Sequence, residues 1–459
     1  MVRRVAVSAA STGSLRGVPR SLPLYALLAS YPLWWVLGAG YLIWPVLTFP
    51  LLLSMLLRRD VRFPRAFGLW LLFLGWMLLS ALELKGFSFS FVWRAAVYGS
   101  ATVAFLYVLN SPRRVISERT VIIALTVFWF ELVIAGYLGV LFPYVSFASP
   151  LASVVPGSFS REGVLAATLH PGFAEVMTFL GYPVGRPKAL FAYSNHWGSC
   201  IALLTPFAIV AFTQIRRGPR RWAMGLALLL SLVPIVVSLD RGVWLALIVG
   251  LGYGGLRSAR FSSPRTLAAG VAALLVAGSA VAVTPLGALA QDRVQSESQS
   301  TTTRISVYQQ TREAAAKSPL VGYGSPKATS RAAASGPPAG TQGQIPLVVY
   351  SHGLPALALF LAWFVVTLVR SAPRGSPGRF AAHLAVLIAF IEMPFYSFMP
   401  TTLHVLMIGA ALAWRDLSFA PQGSPSRAGP RARLLAPTGP GPYVGARRPV
   451  GRALPAGTD

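Results

Sequence analysis

Residues 346–369 read PLVVYSHGLPALALFLAWFVVTLV and contain no Asp, Glu, Lys or Arg. As an α-helix, a segment of this length rises about 36 Å, which exceeds the roughly 30 Å hydrocarbon core of a bilayer. Similar apolar segments recur along the 459 residues, of which 54% are hydrophobic. The sequence therefore predicts an all-α fold, a polytopic membrane helical bundle rather than a soluble domain.

About twelve transmembrane helices are predicted from the apolar segments, several of which are short or contain Pro. The segments are residues 23–39, 40–57, 66–84, 88–109, 119–142, 197–215, 222–239, 242–256, 266–284, 346–369, 380–396 and 401–414. They divide the chain into a basic N-terminus (1–22), a transmembrane domain (23–414) and a basic tail (415–459) that is rich in Pro, Gly and Ser. Such a tail is expected to be disordered.

The formal charge of +27 comes mainly from short arginine clusters that occupy every second connector between the apolar segments. Clusters placed in this way follow the positive-inside rule, whereas a nucleic-acid site would collect them along one polar face. We therefore predict a multi-pass protein of the cytoplasmic membrane, with both termini in the cytoplasm and no nucleic-acid partner. The first apolar segment resembles a signal peptide, but the next span follows directly, which favours an uncleaved helix.

Two long connectors, residues 143–196 and 285–345, then lie outside the cytoplasm. Long loops in compact proteins are usually functional or disordered. In the second loop, TTTRISVYQQTREAAAKSP (301–319) predicts a helix that places Arg304, Tyr308 and Arg312 on one face. That face suits an anionic headgroup, and it equally suits solvent.

Arg241 lies between two apolar segments, in the sequence SLDRGVWLALIVGLGYGGL, and Asp240 beside it is a possible partner. An arginine inside a membrane costs about 2.5–3.5 kcal/mol at the bilayer centre, so it indicates a functional site by default. Arg94, inside the fourth segment, is expected to extend its side chain outward to the interface.

Four motifs together resemble the O-antigen ligase and O-antigen polymerase-like superfamily. They are RPKALFAYSNHWGSCIALLTPF (186–207), SLDRGVWLALIVG (238–250), TTTRISVYQQTREAAAKSPLVGYG (301–324) and YSHGLPALALFLAWF (350–364). The resemblance covers residues 180–370. It implies a fold like that of C-type glycosyltransferases and the transfer of glycans from a polyprenyl-diphosphate carrier to an acceptor in the cell envelope, at the outer face of the membrane.

The resemblance assigns substrate diphosphate binding to Arg241, Arg304 and Arg186. Asp240 stands where Ser is commoner in the family. Guanidinium groups suit this role because they donate paired hydrogen bonds to phosphate oxygens and stay protonated.

The catalytic base is where the sequence departs from the family, because the usual histidine position holds Gln342 or Gln344. A glutamine does not accept a proton at neutral pH. His352 and His196 are the candidate catalytic residues, although a histidine at a helix end is more often an interfacial packing residue. Two further candidates for the base are Glu175 and His170.

No metal-ligand spacing is present, Cys200 is the only cysteine, and no cofactor is predicted. Two other classes of function stay open at this stage. One is a flippase or transporter of lipid-linked glycans, against which the absence of internal repeats argues. The other is a non-catalytic membrane protein descended from the ligases.

Overall fold

The chain is described by a computed structural model over residues 22–57, 61–156, 163–178, 180–259, 285–295, 299–326, 338–372 and 375–418. The predicted segment 266–284, the N-terminus up to residue 21 and most of the tail lie outside these residues. The division of the chain into a basic N-terminus, a transmembrane domain and a tail therefore stays a prediction.

Helices dominate the described residues. They are α1 (Leu22–Ala29), α2 (Tyr31–Val36), α3 (Ile43–Leu56), α4 (Phe67–Leu79), α5 (Phe89–Asn110), α6 (Glu118–Leu141), α7 (Gly163–Leu169), α8 (Ser194–Gln214), α9 (Pro219–Leu230), α10 (Leu232–Val237), α11 (Arg241–Ala259), α12 (Pro285–Gln295), α13 (Gln299–Lys317), α14 (Gln344–Ser371), α15 (Pro377–Glu392) and α16 (Thr401–Ser418). Two short strands, β1 (Ala174–Met177) and β2 (Val184–Pro187), form an antiparallel hairpin. The predicted helical fold is thus confirmed, with this hairpin as an addition.

The apolar segments coincide with helices wherever the structure describes them. Five helical stretches of the described chain are long and apolar enough to cross a membrane: Phe89–Asn110, Glu118–Leu141, Ser194–Gln214, Pro219–Val237 and Gln344–Ser371. Shorter apolar helices are Ile43–Leu56 and Phe67–Glu83. A multi-pass membrane protein is confirmed, whereas the count of twelve spans stays a prediction.

Buried tryptophans join neighbouring helices through threonine hydroxyls. The indole of Trp70 in α4 donates to Thr102 Oγ1 in α5 at 2.8 Å, and that of Trp414 in α16 donates to Thr367 Oγ1 in α14 at 3.0 Å. Trp44 donates likewise to Thr401 Oγ1 at 2.9 Å. Lipid is as apolar as leucine, so packing and such interhelical hydrogen bonds hold membrane helices together.

The β1–β2 hairpin lies against the end of α6, within the first long loop. Gly139 permits this approach, because a Cβ at that position would lie 2.6 Å from the carbonyl oxygen of Phe173 and 2.8 Å from Pro187 Cα. The strand register sets Glu175 directly opposite Arg186. Two of the residues singled out from the sequence are therefore neighbours across this hairpin.

The helix predicted in the second loop is confirmed as α13, which begins at Gln299 and ends before Pro319. Tyr308 is fixed by a hydrogen bond of 3.0 Å from its hydroxyl to the carbonyl of Pro394. Arg304 and Tyr308 are partly buried, whereas Arg312 is exposed. Residues at i, i+4 and i+8 drift by about 40° per step around a helix, which turns Arg312 away from the other two.

α14 is broken at Gly353, whose φ of 80° lies in the left-handed region. The break frees backbone groups, and the segment that follows α13 binds them. Tyr323 and Gly324 donate their N–H groups to the carbonyls of Tyr350 (3.0 Å) and Ser351 (2.7 Å), and Leu354 donates to the Pro319 carbonyl at 2.7 Å. The segments SPLVGYG (318–324) and YSHGL (350–354), far apart in sequence, are therefore held together by backbone hydrogen bonds. We call this contact the joint at Gly353.

Gly353→Ala should destabilise the protein, because its Cβ would collide with the Leu320 carbonyl oxygen and an alanine resists this φ. We expect a loss of about 2–4 kcal/mol in the free energy of unfolding, seen as a lower thermal midpoint of purified protein in detergent. Gly252→Ala in α11 is the matched control, since nothing lies within 4 Å of a Cβ there. Equal midpoints for the two variants would contradict this account of the joint.

Candidate functional site

A sharp turn, Ser238–Arg241, connects α10 to α11. It depends on Leu239, a buried residue with the positive φ of 55°. Two arginines from distant segments bind the carbonyls that this turn exposes: Arg186 Nε donates to Ser238 O at 2.6 Å and Arg293 Nε donates to Leu239 O at 3.2 Å. The turn is thereby held by the hairpin on one side and by α12 on the other.

Asp240 forms a buried ion pair with Arg186, through Asp240 Oδ1 and Arg186 Nη2. The two side chains are 3% and 9% exposed, so water screens the pair little. Gly198 in α8 leaves room for it, because a Cβ there would lie 3.0 Å from Asp240 Oδ2. Asp240 is thus paired with Arg186, a partner from the hairpin far away in sequence.

Arg304 approaches the same turn from α13. Its guanidinium carbon lies 5.8 Å from the ring centroid of Tyr396, which is a cation–π distance. Tyr396 in turn packs on Gly242, where a Cβ would lie 2.7 Å from the tyrosine hydroxyl. A side chain at position 242 would therefore push Tyr396, the aromatic partner of Arg304, away from α11.

Arg186, Arg241, Arg293 and Arg304 together form what we call the arginine cluster. Burial, together with the positive charges of Arg241 and Arg186, lowers the pKa of Arg293 to about 10. Arg304 repels Arg293 as well, and Asp240 attracts it. Guanidinium groups carry a positive charge at neutral pH, so four of them around one turn favour an anion with several oxygens.

Glu175 is the carboxylate beside the arginine cluster that keeps partial exposure. Its Oε2 accepts a hydrogen bond of 3.1 Å from the backbone N–H of Ser194, at the first turn of α8. Its negative charge interacts electrostatically with Asp240. Because β1 and β2 place Glu175 opposite Arg186, a carboxylate and a guanidinium group stand side by side. His170, the fourth candidate for the base, is exposed after the end of α7.

His352 lies in a different environment from the arginine cluster. It is 1% exposed, its Nδ1 lies 2.7 Å from Ser80 Oγ, and its ring packs edge-on against Phe91. Its position is eight residues, or about 12 Å of helix, beyond the start of α14. The catalytic role stays a prediction, and these contacts favour a packing role in the joint at Gly353.

His196 lies on the opposite face of α8 from Asp240. Ser194 and Gly198 contact Asp240, and a residue two positions from each is turned by about 200° around the helix. His196 instead contacts the ring of Tyr193 and lines a pocket with Tyr31, Tyr41 and Thr401. Its predicted catalytic role is not tested by these contacts.

Gln344 occupies the region where the family has its histidine, and it is fully buried. Its amide donates to the hydroxyl of Tyr98 at 3.0 Å, and its Oε1 accepts from the N–H of Phe398 at 3.0 Å. Both ends of the side chain thus hold α5 and the segment before α16 against α14. Gln342 is partly buried just before the helix begins.

Two residues of the site, Arg293 and Tyr396, are not indicated by the sequence. Arg293 occurs in QDRVQ, a polar stretch of α12 that is indistinguishable from a solvated helix in the sequence. Tyr396 follows the apolar run of α15 and resembles an interfacial tyrosine. The folding of the second loop onto the Ser238–Arg241 turn brings Arg293 to the site, and the packing of Tyr396 on Gly242 brings Tyr396 there. Within the described residues, no three or more His, Cys, Asp or Glu side chains converge as metal ligands would.

Residues 226–361 match the family model described as O-Antigen ligase. The resemblance to the O-antigen ligases is confirmed. The matched residues contain the Ser238–Arg241 turn, α12, α13 and the joint at Gly353, while Arg186, Glu175 and Tyr396 lie outside them. No curated protein matches the chain. The match supports a membrane function in polysaccharide synthesis, of the ligase and polymerase kind.

Arg186→Gln should destabilise the protein by about 3–5 kcal/mol, because it leaves the buried Asp240 carboxylate without its cation. The double variant Arg186→Gln/Asp240→Asn removes both charges and should recover most of that loss. Thermal unfolding of the purified proteins measures the effect. If the double variant were as unstable as the single one, the ion pair would not be the reason.

Proposed function

We propose that the protein is a membrane glycosyltransferase that transfers glycans from a polyprenyl-diphosphate carrier to an acceptor at the outer face of the cytoplasmic membrane. The observation that carries this proposal is the convergence of four arginines on the Ser238–Arg241 turn. The turn, Arg293 and Arg304 lie inside the region that matches the O-antigen ligases, and Arg186 joins them from outside it. The basic connectors support this orientation, because the positive-inside rule predicts that the arginine-rich connectors lie in the cytoplasm and the long loops outside it.

The arginine cluster suits the diphosphate of such a carrier. A diphosphate brings several negative oxygens to a site whose guanidinium groups repel one another, and paired N–H···O bonds orient it. The same contacts strengthen as the diphosphate leaves and gains charge, which is how an enzyme lowers the barrier of the chemical step. Arg241 and Arg304 are the two that we assign to this role first, because Arg186 also neutralises Asp240.

The acceptor hydroxyl then attacks the anomeric carbon of the first sugar, and the bond between that carbon and the diphosphate oxygen breaks. The hydroxyl proton needs a base, and we assign this role to Glu175. A carboxylate serves this purpose in inverting glycoside hydrolases, where it takes a proton from the attacking oxygen. The polyprenyl diphosphate leaves as the anion that the arginine cluster binds.

Arg304→Gln should abolish polymer formation and cause lipid-linked glycan to accumulate in cells. Arg312→Gln is the matched control, since it removes an exposed arginine two turns further along the same helix. Mass spectrometry of the polyprenyl-diphosphate glycans, with immunoblots of membrane protein levels, measures both. Normal polymer from an inserted Arg304→Gln protein would overturn the assignment, and accumulation confined to the inner leaflet would instead favour a flippase.

Glu175→Gln should lower the transfer rate by about 10²–10⁴-fold, the range of general-base catalysis. The glutamine oxygen can still accept the hydrogen bond from Ser194 N–H, so the start of α8 is preserved while the proton acceptor is lost. The transfer rate of the purified variant reports the loss of the proton acceptor, and its thermal midpoint reports whether the start of α8 is still held. Full activity of Glu175→Gln would show that Glu175 only caps the helix.

A further inference from the structure

A second arginine site lies away from the arginine cluster, in α5. Arg94 follows the start of this helix by five residues and is partly buried. Its charge acts on Tyr41, Tyr98 and His352, none of which belongs to the site around Asp240. Arg94 and the arginine cluster therefore have different neighbouring residues.

One edge of the Arg94 guanidinium is anchored by the protein. Nη1 donates to Ser325 Oγ at 3.1 Å, to the carbonyl of Ser90 at 3.2 Å, and to Ser90 Oγ. Ser325 is 3% exposed and belongs to the segment that covers the joint at Gly353. These bonds fix the plane and direction of the guanidinium group.

The other edge is left for a ligand. Among the residues that the structure describes, neither Nε nor Nη2 of Arg94 forms a hydrogen bond, and no Asp or Glu pairs with it. Nε and Nη2 are the two nitrogens that form a fork matching the two oxygens of a carboxylate or phosphate. A charged group held at this depth without a counter-ion indicates a binding role.

Tyr41 is an aromatic residue near Arg94, close enough for the charge of Arg94 to act on it. Its ring stacks on Trp93, the neighbour of Arg94, with centroids 4.1 Å apart and planes 12° from parallel. Tyr41 is itself partly exposed and lines the pocket that His196 also faces. Tyr41 therefore connects Trp93, the neighbour of Arg94, to this aromatic pocket.

We propose that Arg94 forms a second anion-binding subsite, which holds a phosphate or carboxylate group through Nε and Nη2. The group belongs to a saccharide or to a phospholipid headgroup, since both offer the same oxygens. This proposal does not depend on the transferase reaction, because it concerns binding at a place separate from the arginine cluster.

The test uses the purified full chain carrying Arg241→Gln, which weakens the arginine cluster. Stabilisation against heat is measured with inorganic phosphate replacing chloride at constant ionic strength, because a ligand of the folded state raises the thermal midpoint. Adding Arg94→Gln should raise the apparent Kd for phosphate about tenfold or more, the cost of losing a charge-assisted pair of hydrogen bonds. Adding Arg312→Gln instead should leave it unchanged.

A second arm separates the two sources of the anion. The same variants are placed in nanodiscs of phosphatidylcholine with and without phosphatidylglycerol. Stabilisation by phosphatidylglycerol that Arg94→Gln abolishes assigns the subsite to a headgroup, whereas an effect with phosphate alone assigns it to a soluble or saccharide anion. If Arg94→Gln changes neither response, Arg94 only ties Ser325 to α5 and the proposal is wrong.

Arg94→Lys covers the case in which Arg94→Gln does not fold. Lysine keeps the positive charge but lacks the planar fork, so it should bind phosphate more weakly than arginine while the protein stays folded. Unchanged phosphate affinity in Arg94→Lys would overturn the paired hydrogen bonding that defines the subsite.

Discussion

The buried ion pair between Arg186 and Asp240 is the interaction on which the candidate site depends. It joins a hairpin in the first long loop to the turn between α10 and α11, and Gly198 of α8 makes room for it. A carboxylate taken out of water needs a partner, so Asp240 fixes the position of the whole hairpin edge. Glu175 is carried to the site as a result, because the strand register places it opposite Arg186.

Among the described residues around this turn, four arginines meet the carboxylates of Asp240 and Glu175, and that imbalance of charge is what the site offers chemically. Arg293 donates a hydrogen bond to the backbone carbonyl of Leu239 and has a lowered pKa. Arg304 forms a cation–π contact with Tyr396. Neither arrangement neutralises the positive charge. A diphosphate would neutralise it. The repulsion between the guanidinium groups, which destabilises the cluster by itself, would then favour binding of the anion.

The length of the apolar segments was enough to predict the membrane-spanning helices that the structure describes, because in a bilayer every spanning backbone must satisfy its own hydrogen bonds. The motifs likewise pointed to Arg241, Arg304 and Arg186. The sequence does not indicate Arg293 or Tyr396, since the folding of the second loop brings Arg293 to the turn and the packing of the segment after α15 on Gly242 brings Tyr396 there. His352 was a candidate because it precedes Gly353. That glycine breaks α14, and His352 packs against Ser80 beside the break.

The most direct measurement is the release of free polyprenyl diphosphate in proteoliposomes that contain the purified protein, a polyprenyl-diphosphate glycan from the same cells and an acceptor from their envelope. The account predicts release by the unsubstituted protein that is coupled to extension of the acceptor, and none by Arg304→Gln. Glycan that crosses the bilayer still attached to its carrier, with no diphosphate released, would contradict a transferase and indicate a transporter.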